Sequence, residues 1–115
     1  MRKKGNDGEK LAIHYLEKKG FSLIESNVYS PFGEIDLVMK DKEWWVFIEV
    51  KLRNNAMYGH SLESITEGKK HKFTQSVFWY LQQKRIHAPK FRIDVVGIDK
   101  NIAGEYDFSH ILYAF

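Results

Sequence analysis

Three residues in this sequence have the types and spacing for metal-assisted chemistry: Asp36, Glu49 and Lys51, in the pattern Asp-x12-Glu-x-Lys. They lie within GEIDLVMKDKEWWVFIEVKLR, residues 33–53. The run Trp44 to Lys51 is rich in aromatic and β-branched residues and predicts a strand. Side chains alternate faces along a strand, so Phe47, Glu49, Lys51 and Arg53 share one face and Val46, Ile48, Val50 and Leu52 the other. Gly33 to Met39 predicts a second strand, with Glu34, Asp36 and Val38 on one side and Ile35, Leu37 and Met39 on the other. A turn in Lys40-Asp41-Lys42-Glu43 makes the pair an antiparallel hairpin. With Asp36 opposite Phe47 or opposite Glu49, the two acids become cross-strand neighbours on one face, roughly 5–8 Å apart at the backbone. A slip of one residue would part them. Carboxylates that close repel, and a divalent cation between them removes the repulsion. Oxygen-only ligands suit Mg²⁺ or Mn²⁺. Lys51 beside that cation would stabilise charge developing on a phosphate, or orient or activate a water.

The plain alternative is an ion-pair network on a solvated sheet face, where Glu49 and Lys51 would pair for about 0–1 kcal/mol. Phe47 shares their face, and the first helix is expected to pack nearby. Partly buried charges without a partner are costly, and two carboxylates with one lysine leave negative charge for a cation to balance.

The flanking elements must position this set. Asn6-Asp7-Gly8-Glu9 reads as a helix start, with Asn6 as cap and Glu9 three residues on. The helix runs to about Lys19, and Gly20 ends it as the C′ residue. Ala12, Ile13 and Leu16 cluster on one face, and Glu9 lies on that face one turn earlier. Glu9 either caps the positive helix end or aims a carboxylate at the metal site. Phe21 to Tyr29 predicts a first strand with Phe21, Leu23 and Glu25 on one side. Asn54 to Leu62 is a polar loop, able to reach over a substrate. Its His60 either touches phosphate or is merely solvated.

A second helix is expected to begin near Ser64 to Thr66, with Ser64-Ile65-Thr66-Glu67 fitting a capping box. Phe73, Val77, Tyr80 and Leu81 mark its buried stripe, leaving Phe78 or Trp79 exposed. Lys69, Lys70, His71 and Lys72 crowd its first turns, where cations oppose the helix dipole. The cluster suits phosphate contact, against the alternative of a solvated face. Phe91 to Ile98 alternates as a strand, and Asp94 there reads as an ion-pair partner of Arg92 or Arg53. Tyr106 to Tyr113 reads as a short edge strand. The order, a helix, three strands, a helix and one or two strands, predicts an α/β architecture with a mixed central sheet flanked by helices.

GEIDLV followed by FIEVKLR resembles the YraN-like family of the restriction-endonuclease-like PD-(D/E)xK nuclease superfamily, which is similar to archaeal Holliday-junction resolvases. The superfamily motif falls on Asp36, Glu49 and Lys51, with Ile35 where many members have proline. The resemblance extends to Gly5 to Glu9, the Tyr58-Gly59 loop, the Lys69 region, Arg92-x-Asp94-Val95-Val96 and Ala114-Phe115, and so covers most of the chain. It implies an αβββαβ core and a metal-dependent nuclease acting on DNA, branched or junction DNA included. It further implies Mg²⁺ or Mn²⁺ on Asp36, Glu49 and the Val50 carbonyl. Glu9 then serves as a catalytic carboxylate, directly or through water. Arg53, Lys69, Lys70 and Lys72 would hold the nucleic-acid backbone, and junction-cutting relatives suggest a homodimer. The rival expectations are a non-catalytic nucleic-acid-binding module and an interaction adaptor on the same fold.

Composition sets the outer bounds. The 115 residues amount to a single domain. Hydrophobic residues make up 43%, enough for a core, and the net charge of +3 gives little general basic attraction. Without cysteine there are neither disulfides nor thiolate metal sites, which is compatible with the cytoplasm. The N-terminus has no apolar stretch of a signal peptide, and no run approaches the ~20 residues that span a bilayer. No Gly-rich phosphate loop and no HExxH pattern occurs.

Overall fold

The computed structural model describes residues 6–53, 65–87 and 89–115. The expectations for Gly5, Tyr58-Gly59, His60 and the Ser64 cap fall outside the described residues. Helix α1 spans Asn6–Glu17. Its end is set by Gly20, at φ +100°: the Gly20 N–H donates to the Glu17 carbonyl at 3.0 Å and the Phe21 N–H to that of Leu16 at 3.1 Å. Those two bonds form a Schellman motif, which needs a left-handed residue at that point.

Strands β1 (Ser22–Ser30), β2 (Gly33–Asp41) and β3 (Trp44–Arg53) follow as an antiparallel meander. Helix α2 (Glu67–Gln83) then crosses over to β4 (Phe91–Lys100), which runs parallel to β3. Strand β5 (Tyr106–Ile111) closes the mixed sheet antiparallel to β4, in the order β1-β2-β3-β4-β5. This is the restriction-endonuclease-like arrangement of a mixed sheet between two helices. The β2–β3 turn shrinks to Lys42 and Glu43, because Asp41 already pairs with Trp44. Lys42 takes φ 59°, the left-handed sense that tight hairpins favour. No helix among the described residues is long and apolar enough to cross a membrane.

Both sheet faces carry a core. Ala12 and Leu16 of α1 pack with Phe21, Leu37, Met39, Val46, Ile48, Val96 and Ile98. Phe73, Val77, Tyr80 and Leu81 of α2 pack with Val28, Ile35, Val38, Phe47 and Ile93. Helix α2, rather than α1, therefore covers the Phe47 face, contrary to the sequence expectation. The α2 stripe is the expected one, and Phe78 is the aromatic left exposed.

Strand alternation fails at two places, each with a local cause. A bulge between Leu23 and Glu25 sets Glu25 opposite Val38, so Leu23 and Glu25 do not share a side. Further on, Val28 and Ile35 pair and both join the α2 core, whereas Leu37 belongs to the α1 core. Between them Asn27 takes φ 54°. Ile35 and Leu37 thus lie on opposite faces although two residues apart, so the expected common side of Ile35, Leu37 and Met39 is broken, while Glu34 and Asp36 still converge.

Candidate metal centre

The site forms where the β2–β3 ladder ends. Main-chain pairing runs from Asp41↔Trp44 to Leu37↔Ile48, a register that, continued by one residue, brings Asp36 beside Glu49. There Asp36 Oδ2 accepts the Val50 N–H at 2.8 Å, so a side chain takes the donor that the ladder no longer uses. Lys51 Nζ stands 3.7 Å from Glu49 Oε2, with the two side chains 21% and 18% exposed. The Asp–Glu–Lys set expected from spacing is thus assembled, half-buried, at the C-terminal end of β3.

Glu9 joins it from α1 and is buried. Its helix comes close because residue 8 is glycine: a Cβ there would lie 3.2 Å from Leu52 Cβ on β3. One carboxylate oxygen each from Glu9, Glu34 and Asp36 falls within 4.8 Å of the others. Glu34, two residues before Asp36 on β2, stays with it, as the alternation of Gly-Glu-Ile-Asp expects. Sequence reasoning gave Glu34 a strand face and no role. Its signal was the repeated acid of Gly-Glu-Ile-Asp, two positions apart.

The electrostatics reflect this crowding. Asp36 is pushed up to about 8, first by burial and then by the negative charge of Glu49, with Glu9 and Glu34 adding to it. The Val50 N–H works in the opposite direction. Glu49 is also raised, by burial, against the pull of Lys51, the hydrogen bond with Asp36, and Lys69. The two groups titrate as a pair. The donors are all oxygens, and their excess negative charge is what a hard divalent cation relieves, so the residues fit Mg²⁺ or Mn²⁺.

The cationic residues divide. Thr66 caps α2, its Oγ1 accepting the Lys69 N–H at 3.2 Å, and the Lys69 charge reaches Glu49. Lys72 is exposed on the next turn. Lys70 instead pairs with Glu67 at 3.4 Å and lies 5.8 Å from the Phe115 ring centre. Arg53 is half-buried at the end of β3, in register with Asp99. Asp94 forms the ion pair with Arg92 expected from the sequence.

A family profile described as "Uncharacterised protein family UPF0102" matches residues 8–98, which include all four acids and Lys51. The chain is 43% identical over 95 residues to a UPF0102 protein of Shewanella denitrificans, covering 83% of this chain and 87% of that protein. A UPF0102 protein of Vibrio cholerae is 39% identical over 99 residues, covering 84% and 81%.

Proposed function

This chain belongs to the UPF0102 family, and from its convergent acids we propose that it is a metal-dependent nuclease that hydrolyses DNA phosphodiester bonds, with branched or junction DNA in its substrate range. The observation that carries the reading is the meeting of Asp36, Glu49, Glu9 and Glu34, with Lys51 alongside. Asp36, Glu49, the Val50 carbonyl and Glu9 would hold Mg²⁺ or Mn²⁺, and Glu34 adds a further oxygen donor. The cation, when bound, supplies Lewis-acid polarisation of the phosphate and acidifies a water.

The protein's own groups do the rest. The Val50 N–H orients the Asp36 carboxylate. Lys51, held near Glu49, faces the negative charge that grows on the phosphoryl oxygens or orients the attacking water. Lys69, whose charge reaches Glu49, would hold the strand by its phosphates together with Lys72 and Arg53. Such contacts position a nucleic acid without reading its sequence, so shape or ends would select the substrate. Lys70 contributes to this grip only if it leaves Glu67.

The test is a cleavage panel of single-stranded, duplex, flap and four-way DNA with Mg²⁺ or Mn²⁺. Metal-dependent cleavage by the wild type, lost in Asp36→Asn and in Lys51→Ala, is the expected result. DNA binding without cleavage, unchanged in both variants, would instead favour a binding module.

A further inference from the structure

Gly8 is the third residue of α1 and is buried. Its φ is not left-handed, unlike those of Gly20, Gly33 and Gly104, so main-chain conformation does not call for glycine there. Alanine is also the better helix former. Space is what excludes a side chain. A Cβ at residue 8 would meet Leu52 Cβ at 3.2 Å, Cδ2 at 3.4 Å and Cγ at 3.8 Å. Rotation of the Leu52 side chain could move its two outer atoms away. Leu52 Cβ cannot follow, because it is fixed to the main chain of β3, which is paired here with Ile98 of β4. Helix and strand would therefore have to part by a few tenths of an ångström.

That contact sits inside the frame of the metal centre. Glu9, the next residue on the helix, brings a carboxylate oxygen within 4.8 Å of those of Glu34 and Asp36. On the strand, Leu52 follows Glu49, whose charge acts on Asp36, and Val50, whose N–H donates to Asp36 Oδ2 at 2.8 Å. Glu9 is buried, which limits how far its side chain can swing to make up for a displaced helix. The gap between α1 and β3 thus sets how closely the Glu9 carboxylate approaches the acids of the sheet.

Cation size matters on the same scale. Mg²⁺ demands oxygens at about 2.0–2.1 Å in a near-octahedral array, whereas Ca²⁺ takes them at about 2.3–2.6 Å in a looser one. The two differ by a few tenths of an ångström, the displacement that a methyl group at residue 8 would impose.

We propose that Gly8 determines cation specificity: by holding α1 against Leu52 it sets the acid cluster for Mg²⁺ rather than the larger Ca²⁺, an assignment that rests on the metal-centre reading of those acids. Gly8 itself touches no cation. It is a positioning residue that acts through Glu9.

Isothermal titration calorimetry of the metal-free protein with Mg²⁺, and separately with Ca²⁺, reads the ratio of the two affinities. Gly8→Ala is expected to weaken Mg²⁺ about tenfold, the lower end of what altering a supporting residue costs a metal site, and to leave Ca²⁺ within roughly threefold. Alanine suits a helix, so the variant is expected to fold, and circular dichroism checks it. Leu52→Ile, which branches at the crowded Cβ, should shift the ratio in the same direction from the strand side. Leu52→Gly combined with Gly8→Ala removes the collision and should return the ratio to that of wild type. A contact of purely structural importance would weaken both ions alike. That result, a ratio unchanged in both Gly8→Ala and Leu52→Ile, or no recovery in the double variant would overturn the assignment while wild-type uptake leaves the metal-centre reading standing. A wild type that takes up neither ion sinks the metal-centre reading and this assignment with it.

Discussion

Asp36 and Asp94 are both aspartates taken out of water by the same sheet, and the protein treats them oppositely. Asp94 is fully buried, and each oxygen is matched: Arg92 Nε donates at 3.1 Å to both, His110 Nε2 reaches Oδ2 at 2.8 Å, and the Tyr113 N–H donates to Oδ1 at 3.2 Å. Arg92 extends to Asp41 at 3.4 Å and lies among the rings of Phe21, Trp44 and Tyr113. Lys19 Nζ approaches His110 Nδ1 at 3.1 Å, and a lysine ammonium only donates, so Nε2 carries the proton that points at Asp94. Asp36 receives one main-chain N–H and is surrounded by Glu49, Glu9 and Glu34. Among the described residues, one acid is neutralised from within the chain and the other is left short of positive charge. Structure alone explains the first arrangement, whereas the second calls for something from solution.

This contrast can be broken from either side. The largest effect is expected in catalysis: Lys51→Ala should lower cleavage by about 10²–10³-fold, the loss typical of removing one group that stabilises transition-state charge. Its thermal midpoint should hardly move, since the lysine is partly exposed and its pair with Glu49 is weak. Arg92→Leu should do the reverse. It leaves Asp94 buried without its main cation and should cost about 3–5 kcal/mol in urea unfolding. Asp36→Asn, which removes a crowded charge, should leave the metal-free fold as stable as before or more so.

The pH dependence sharpens the same distinction. The ordinary aspartate value of 3.8 is raised to about 8 for Asp36 in the folded protein. Between those values the native state keeps a proton that the unfolded chain has released. Its contribution to stability is fully present below 3.8 and is lost as pH rises through about 8. Wild type without metal should therefore lose stability over that window relative to Asp36→Asn, in parallel melts. Adding Mn²⁺ should flatten the difference. The smallest effect concerns the helix that carries Lys69: Thr66→Ala removes the cap and should cost about 0.5–2 kcal/mol, read as a small fall in the urea midpoint.

Much of this arrangement is legible in the sequence. The helix stop at Gly20, the central hairpin and its register, the α2 stripe and the Arg92–Asp94 pair each follow from local signals a few residues long. The Asp36–Glu49–Lys51 set was readable because period-two alternation holds along β3, and it placed the acids on adjoining strands. The failures come from breaks in that period. The bulge at Leu23/Glu25 and the left-handed Asn27 shift side chains by one position, and neither has a strong signature in SLIESNVYS. The meeting of Glu34 and Asp36 with Glu9 depends on the close approach at Gly8, and is a tertiary outcome. The expectation that the first helix packs on the Phe47 face failed because both faces of the hairpin are apolar near its turn, so local pattern does not choose between the helices.

Isothermal titration calorimetry of the metal-free protein with Mn²⁺ tests the central claim most directly. The account predicts saturable uptake by wild type, weakened at least tenfold in Asp36→Asn and in Glu34→Gln, and unchanged in Asp7→Asn, an exposed acid at the start of α1. Absence of saturable uptake by wild type, or equal uptake by all four proteins, would contradict it.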